Sequence, residues 1–172
     1  MPWRLSKSLP ILLLILCACS PEEEQPTATV SIDAWLPLSV DDREIEVQVA
    51  ITSAELRKGL MYRESLGTDQ GMLFPYNQPQ IMTFWMANTP IPLDIGFFDS
   101  EGVLIEIHRM YPFDTNRTVS RSEAAQFGLE MNRGWFASNG LFPGARLNLE
   151  QVSSALRQRG VNPRDYGLGD TN

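Results

Sequence analysis

The 172-residue chain has two cysteines, one histidine and no surplus of positive charge. Each shortage removes a class of function. Cys17 and Cys19 both fall near the N-terminus, so the folded part holds neither a disulfide framework nor a cysteine zinc site. His108 is the only histidine, and no G-x-S-x-G elbow occurs, so a Ser-His-Asp triad has little to be built from. Fourteen Lys and Arg against twenty-one Asp and Glu leave a net charge of −7. An acidic chain lacks the basic patch that nucleic acid requires, and it is repelled by anionic lipid heads. What remains, 43% hydrophobic and 20% charged residues over one domain's length, reads as globular.

The N-terminus carries targeting information. Arg4 and Lys7 precede an apolar run, Leu9–Leu16, of eight residues. A membrane span needs roughly 20, so the run fits a secretory signal. Leu16-Cys17-Ala18-Cys19 resembles a bacterial lipobox, which implies cleavage before Cys19 and acylation of its sulfur. Residues 1–18 are then a lipoprotein signal peptide. Their loss leaves twelve basic groups against twenty-one acidic, a net charge of −9. Residues 19–29, with the stretch SPEEEQPTAT, are expected to be a disordered, self-repelling tether. Ser20 stands where an Asp often retains such proteins at the inner membrane, so the periplasmic face of the outer membrane is the expected location.

Residues 30–160 read as a single β-rich domain, and 161–172 as a loose tail. Arg43–Ile51 alternates Ile45, Val47, Val49 and Ile51 against Glu44, Glu46 and Gln48, the pattern of a half-buried antiparallel strand. Thr52 to Glu55 matches a capping box for a short helix that Gly59 would end. Apolar runs at 71–74, 81–86 and 93–98 are separated by Pro, Asn and Gly. Asp99–Gly102 is a turn, which makes 93–110 a hairpin. Further strands are expected at 126–131 and 146–150, and short helices at 133–139 and 152–159. The whole predicts a mainly β fold: a compact antiparallel barrel or sandwich with one to three short helices.

Four blocks in the middle of the chain carry a resemblance: RKGLMYRESL (57–66), GMLF (71–74), FWMANTPIPLDI (84–95), and Leu129-Glu130 followed by Gly134. Together they resemble the family called domain of unknown function 192, over about residues 40–150. The resemblance implies a small, barrel-like β domain, often exported, and brings no established catalytic residue. Two positions depart from the family's habit. Ala87 replaces a common Lys, and Ala145 replaces the Asp that commonly follows Gly144.

The polar residues inside these blocks are the site candidates: Arg57, Arg63, Asn88, Asp94 and Glu130, with Trp85 as an apolar wall. Charged residues are rarely buried unpaired. One reading is therefore a structural network in which Arg57 or Arg63 bridges Asp94 or Glu130 while Asn88 and Thr89 tie a turn. The other is a pocket at the end of the 81–86 segment, bounded by Trp85, Asn88 and Asp94, where Arg57 or Arg63 would favour a small anionic or glycan ligand. Two functions stay open. The first is a noncatalytic, membrane-tethered binding or interaction domain of the cell envelope. The second is an envelope hydrolase using Asp94 and Glu130 as acid and base on a glycan. Met61, Met72, Met82 and Met86 are read as core filler rather than copper ligands, and Asp99–Gly102 is too short for a calcium loop. No cofactor, metal or nucleic-acid partner is expected.

Overall fold

The computed structural model describes residues 29–169, together with Met1. The expected signal peptide, Cys19 and nearly all of the tether lie outside the described residues. Alternation makes the first hairpin: β1 (Leu36–Val40) pairs antiparallel with β2 (Arg43–Val49), Leu38 opposite Ile45. Ile45, Val47 and Val49 are buried and Glu44 and Glu46 exposed, as the pattern requires. Gln48 departs from it and is buried on the opposite face.

The capping box is present. The Glu55 amide donates to Thr52 Oγ1 at 3.2 Å and the Thr52 amide to Glu55 Oε2 at 2.9 Å, starting α1 (Ser53–Lys58). This helix carries the chain back along the sheet, so β3 (Gln70–Pro75) pairs parallel to β2. That corrects the wholly antiparallel expectation: the crossover carries the chain back to the end where β2 began, and the next strand then runs the same way.

The 81–86 run yields only β4 (Thr83–Phe84), and β5 (Leu93–Phe98) with β6 (Leu104–Met110) forms the expected hairpin. Asp99 Oδ1 ties its turn, accepting from the Glu101 and Val103 amides. Next come β7 (Thr118–Val119), β8 (Phe127–Asn132), α2 (Trp135–Ser138) and α3 (Leu149–Gln158). The main sheet runs β1-β2-β3-β8-β5-β6, and β4 and β7 pair as a second, two-stranded sheet. The fold is mainly β and sandwich-like. It is not a closed barrel, because only single bridges, Val40 to Leu147 and Val103 to Arg146, reach its outer strands from the 146–147 segment. That segment is no strand either: Asn148 Oδ1 accepts from the amides of Glu150 and Gln151 and starts α3 there.

The sheet has two apolar faces. On one, Val47, Leu73, Leu129 and Met131 pack with Trp135 and Phe136 of α2 and Val152 and Leu156 of α3. On the other, Met72, Phe74, Ile95 and Phe97 pack with Met82 and Phe84 from the β4 segment. Phe84 lies 5.0 Å from Phe74 and 5.8 Å from Phe97, centroid to centroid. A Cβ at Gly128 would come within 2.9 Å of the Phe84 ring, so the β4 segment can lie this close only over a glycine. The C-terminal tail is packed rather than loose up to Leu168: a 3-10 turn, Pro163–Tyr166, receives a 2.6 Å hydrogen bond at the Tyr166 carbonyl from Gln126 Nε2, and Leu168 is buried.

Candidate functional site

Strand register decides which candidates can meet. Across β5 and β8, Asp94 lies opposite Met131 and Ile95 opposite Glu130. Successive residues of a strand point to opposite faces. Asp94 and Glu130 therefore point to opposite sides of the sheet, and the expected acid–base pair does not exist at one site. The expected arginine network is not formed either. Asp94 is buried and accepts from the Gly134 amide at 2.7 Å, while its other oxygen has no partner among the described residues. Arg63 donates to Gln48 Oε1 at 2.7 Å, and its guanidinium lies 5.5 Å from the Trp35 ring centroid. It borders a different, more polar hollow with Gln48, Met72 and Asp33. Sequence spacing could not reveal this, because face and register are set by pairing between distant strands.

Glu130 is a buried carboxyl with no protein partner among the described residues. Its row across the sheet is Met72, Glu130 and Ile95, an apolar surround. Only 4% of the residue is exposed, and no hydrogen bond or ion pair to its carboxyl occurs among the described residues. Burial alone pushes its pKa up to about 8. At neutral pH Glu130 is therefore a neutral acid, one O–H donor with acceptor capacity to spare.

It faces a cavity of about 310 Å³. The walls are built by three elements over the sheet. α1 and the turn after it contribute Leu56, Leu60 and Met61; β3 contributes Phe74, followed by Tyr76; and the β4 segment contributes Phe84 and Trp85. The chain must leave α1 tightly to make this wall. Gly59 does so at φ 46°, where a Cβ would sit 3.4 Å from the Phe74 ring and 4.0 Å from Glu130 Oε2. The outer face of the β4 segment is bare, with Trp85 46% exposed, so that segment is covered on one side and open on the other.

The turn after Trp85 is held by unusual backbone. Tyr62, Asn88 and Phe113 all have φ between 55° and 63°. The Tyr62 amide donates to the Asn88 carbonyl at 2.7 Å, and the Phe113 amide to the Thr89 carbonyl at 3.1 Å. An asparagine adopts this region readily, whereas a bulky aromatic is held there at a cost of about 1–2 kcal/mol. Asn88 thus acts through its backbone, fixing the turn that presents Trp85 and Thr89, and does not itself line the cavity.

Of the six candidate residues, the cavity gathers Arg57, Trp85 and Glu130, and leaves out Arg63, Asn88 and Asp94. Lys58 and Arg117 join the lining and were not singled out from the sequence. Lys58 had signal only as a helix-end cation, and Arg117 comes from the polar loop after Pro112, where no pattern marks it. His108, the single histidine, lies outside the cavity. It is half-buried, with Nε2 2.6 Å from Glu106 Oε2 and its ring edge-on to Phe97.

The quoted sequence blocks converge here. Arg57–Met61, Phe74, Phe84 with Trp85 and Thr89, and Glu130 come from the four separate blocks and line the same cavity. The family profile described as "Uncharacterized ACR", domain of unknown function 192, matches residues 36–149. No functionally curated protein matches the chain. A crystal structure from Sinorhizobium meliloti 1021, described as a candidate transcription regulator, is similar at 30% identity and a TM-score of 0.64. The match covers 67% of this chain and 93% of that one. A protein of unknown function from Novosphingobium aromaticivorans DSM 12444 is similar at 33% identity and a TM-score of 0.65, covering 73% of this chain and 94% of that one. With two thirds of its length matched and both structural relatives covered almost whole, the chain belongs to the family called domain of unknown function 192.

Proposed function

We propose that the protein is a noncatalytic binding domain of the bacterial cell envelope, held to lipid through acylated Cys19, that takes a small ligand in the cavity at Glu130. The observation that carries this reading is Glu130 itself. A buried carboxyl without a protein partner costs free energy unless something supplies one, and this carboxyl faces open space. A noncatalytic role is favoured because no serine, histidine, cysteine or second carboxyl lines the cavity among the described residues. Net charge −7 weighs against extending to this chain the regulator description attached to the S. meliloti structure.

Trp85 gives the binding test. Titration of the mature lipoprotein with small anions and envelope glycans should change tryptophan emission, and the change should vanish in Trp85→Phe. If emission stays unchanged across the panel, and equally so in Glu130→Gln, the cavity is not a binding site. Anchoring is tested separately. Cys19→Ser should release the protein from the membrane fraction or leave an unprocessed precursor. A processed variant that stays on the membrane as the wild type does would refute lipidation.

A further inference from the structure

The cavity's charge is one-sided. Arg57, Lys58 and Arg117 all line it, and none of them makes an ion pair or side-chain hydrogen bond among the described residues. Three unpartnered cations around one opening are unusual in a chain of net charge −7. The only acid in the lining among the described residues, Glu130, does not offset them near neutral pH, because burial keeps it protonated. Arg57, Lys58 and Arg117 are exposed whereas Glu130 is buried, so the cations lie toward solvent and the carboxyl lies inside. The cavity is thus polarised along its depth, with a neutral hydrogen-bond donor inside, apolar walls between and positive charge at the mouth.

Resting on the reading that this cavity binds a ligand, we propose that it takes a small amphipathic anion. The ligand has a carbonyl or hydroxyl at the inner end against Glu130, an apolar body against Phe74, Phe84 and Trp85, and a carboxylate or phosphate at the outer end against Arg57, Lys58 and Arg117. The volume of about 310 Å³ is at the low end of ligand sites, enough for a single ring and its substituents. The walls favour an apolar ring over a polyhydroxylated sugar. A sugar needs several hydrogen-bond partners at once, whereas Glu130 is the one buried polar side chain with an uncommitted donor here, the Thr89 hydroxyl being turned to the Ala87 carbonyl at 3.2 Å. A carboxylate meets arginine in a two-pronged geometry and phosphate does the same, so the outer group is defined as an anion of either kind.

The experiment is isothermal titration calorimetry on the full mature protein at neutral pH and low salt with four probes: para-acetylbenzoate, para-acetylphenyl phosphate, acetophenone and benzoate. One or both of the first two should bind at least tenfold tighter than acetophenone, which lacks the anion, and than benzoate, which lacks the inner carbonyl. The tighter of the two identifies the outer group. Arg117→Gln should weaken the anions several-fold and leave acetophenone unchanged. Glu130→Gln keeps a donor and should keep binding, but should abolish the loss of affinity that the wild type shows above pH 8, where ionised Glu130 repels a carbonyl. If acetophenone binds as tightly as para-acetylbenzoate, the cavity is a ligand site and the anion assignment is wrong. If neither acetyl-bearing anion, acetophenone nor benzoate binds, and Trp85 emission stays flat in the broader panel, the binding reading itself falls and the assignment with it.

Discussion

Arg159 Nη2 and Glu55 Oε1 lie 2.5 Å apart and join the end of α3 to the capping residue of α1. The same guanidinium donates to the carbonyls of Val49 at 3.1 Å and Val30 at 2.6 Å. One nearly buried cation thus holds the first described segment, β2, α1 and α3 together, and α1 in turn supplies one wall of the cavity.

This arrangement sets the acid limb of stability. Burial would raise the Glu55 pKa, but the Thr52 and Ile51 amides and Arg159 together hold it below the ordinary carboxylate value of 4.5. A depressed carboxylate contributes stability above its unfolded pKa, and that contribution is lost as pH falls through the folded value. Arg159→Met should cost roughly 1.5–3 kcal/mol at pH 7, the range for a hydrogen bond to a charged group when the carboxylate left behind stays partly solvated, and should flatten the fall below about pH 4.5. Urea midpoints measured across pH would show both effects.

Glu130 has the opposite sign. Its folded pKa of about 8 lies above the unfolded value of 4.5, so the unfolded chain loses its proton first. Stability should fall as pH rises from the lower value to the upper one, by roughly 3 kcal/mol at pH 7 and no further once both states are ionised. Glu130→Gln removes the titration. It should match the wild type near pH 4 and exceed it by a few kcal/mol near pH 8, to be read as a melting-temperature difference that grows with pH. A difference independent of pH would mean that Glu130 is ionised in the fold.

Two neighbours on the β4 segment should respond very differently to truncation. Phe84 is buried between Phe74 and Phe97, and Phe84→Ala should cost about 3–5 kcal/mol through the cavity it leaves. Trp85 is half-exposed, and Trp85→Ala should stay within about 0.5 kcal/mol of the wild type, as surface changes do. Chemical denaturation of the two variants, side by side, checks the face assignment directly.

Local rules account for what the sequence made legible. The Thr52–Glu55 capping box, the alternation in β2 and the Asp99 turn depend on residues within a few positions of one another. Glu130 and Trp85 were legible as odd members of apolar blocks, a polar residue where burial was expected and an aromatic beside a turn. Their companions were not. Lys58 and Arg117 reach the cavity only because α1 crosses over the sheet and the β4–β7 pair folds across it. The separation of Asp94 from Glu130 is hidden in the sequence for the same reason. Both strands were visible, but the register that turns one carboxyl to each face is a property of their pairing.

Asp94 supplies the sharpest discrimination between a hydrogen-bonded turn and an ion pair. Its carboxylate receives the Gly134 amide at 2.7 Å, at the joint between β8 and α2, where Gly134 itself has φ 82°. Asp94→Ala leaves that amide without its acceptor, which should cost roughly 1–3 kcal/mol. Asp94→Asn keeps an oxygen able to accept the same hydrogen bond and removes only the charge. With no cation bound to the carboxylate among the described residues, losing the charge leaves nothing unpaired behind it. The Asn variant should therefore recover most of the stability that the Ala variant loses, ending within about 1 kcal/mol of the wild type. An aspartate neutralising a buried arginine would behave otherwise. Both variants would strand the cation, and both would fall by roughly 3–5 kcal/mol. Urea midpoints of the pair, at unchanged slope, separate the two cases, and equal large losses in Ala and Asn would show that Asp94 is half of an ion pair.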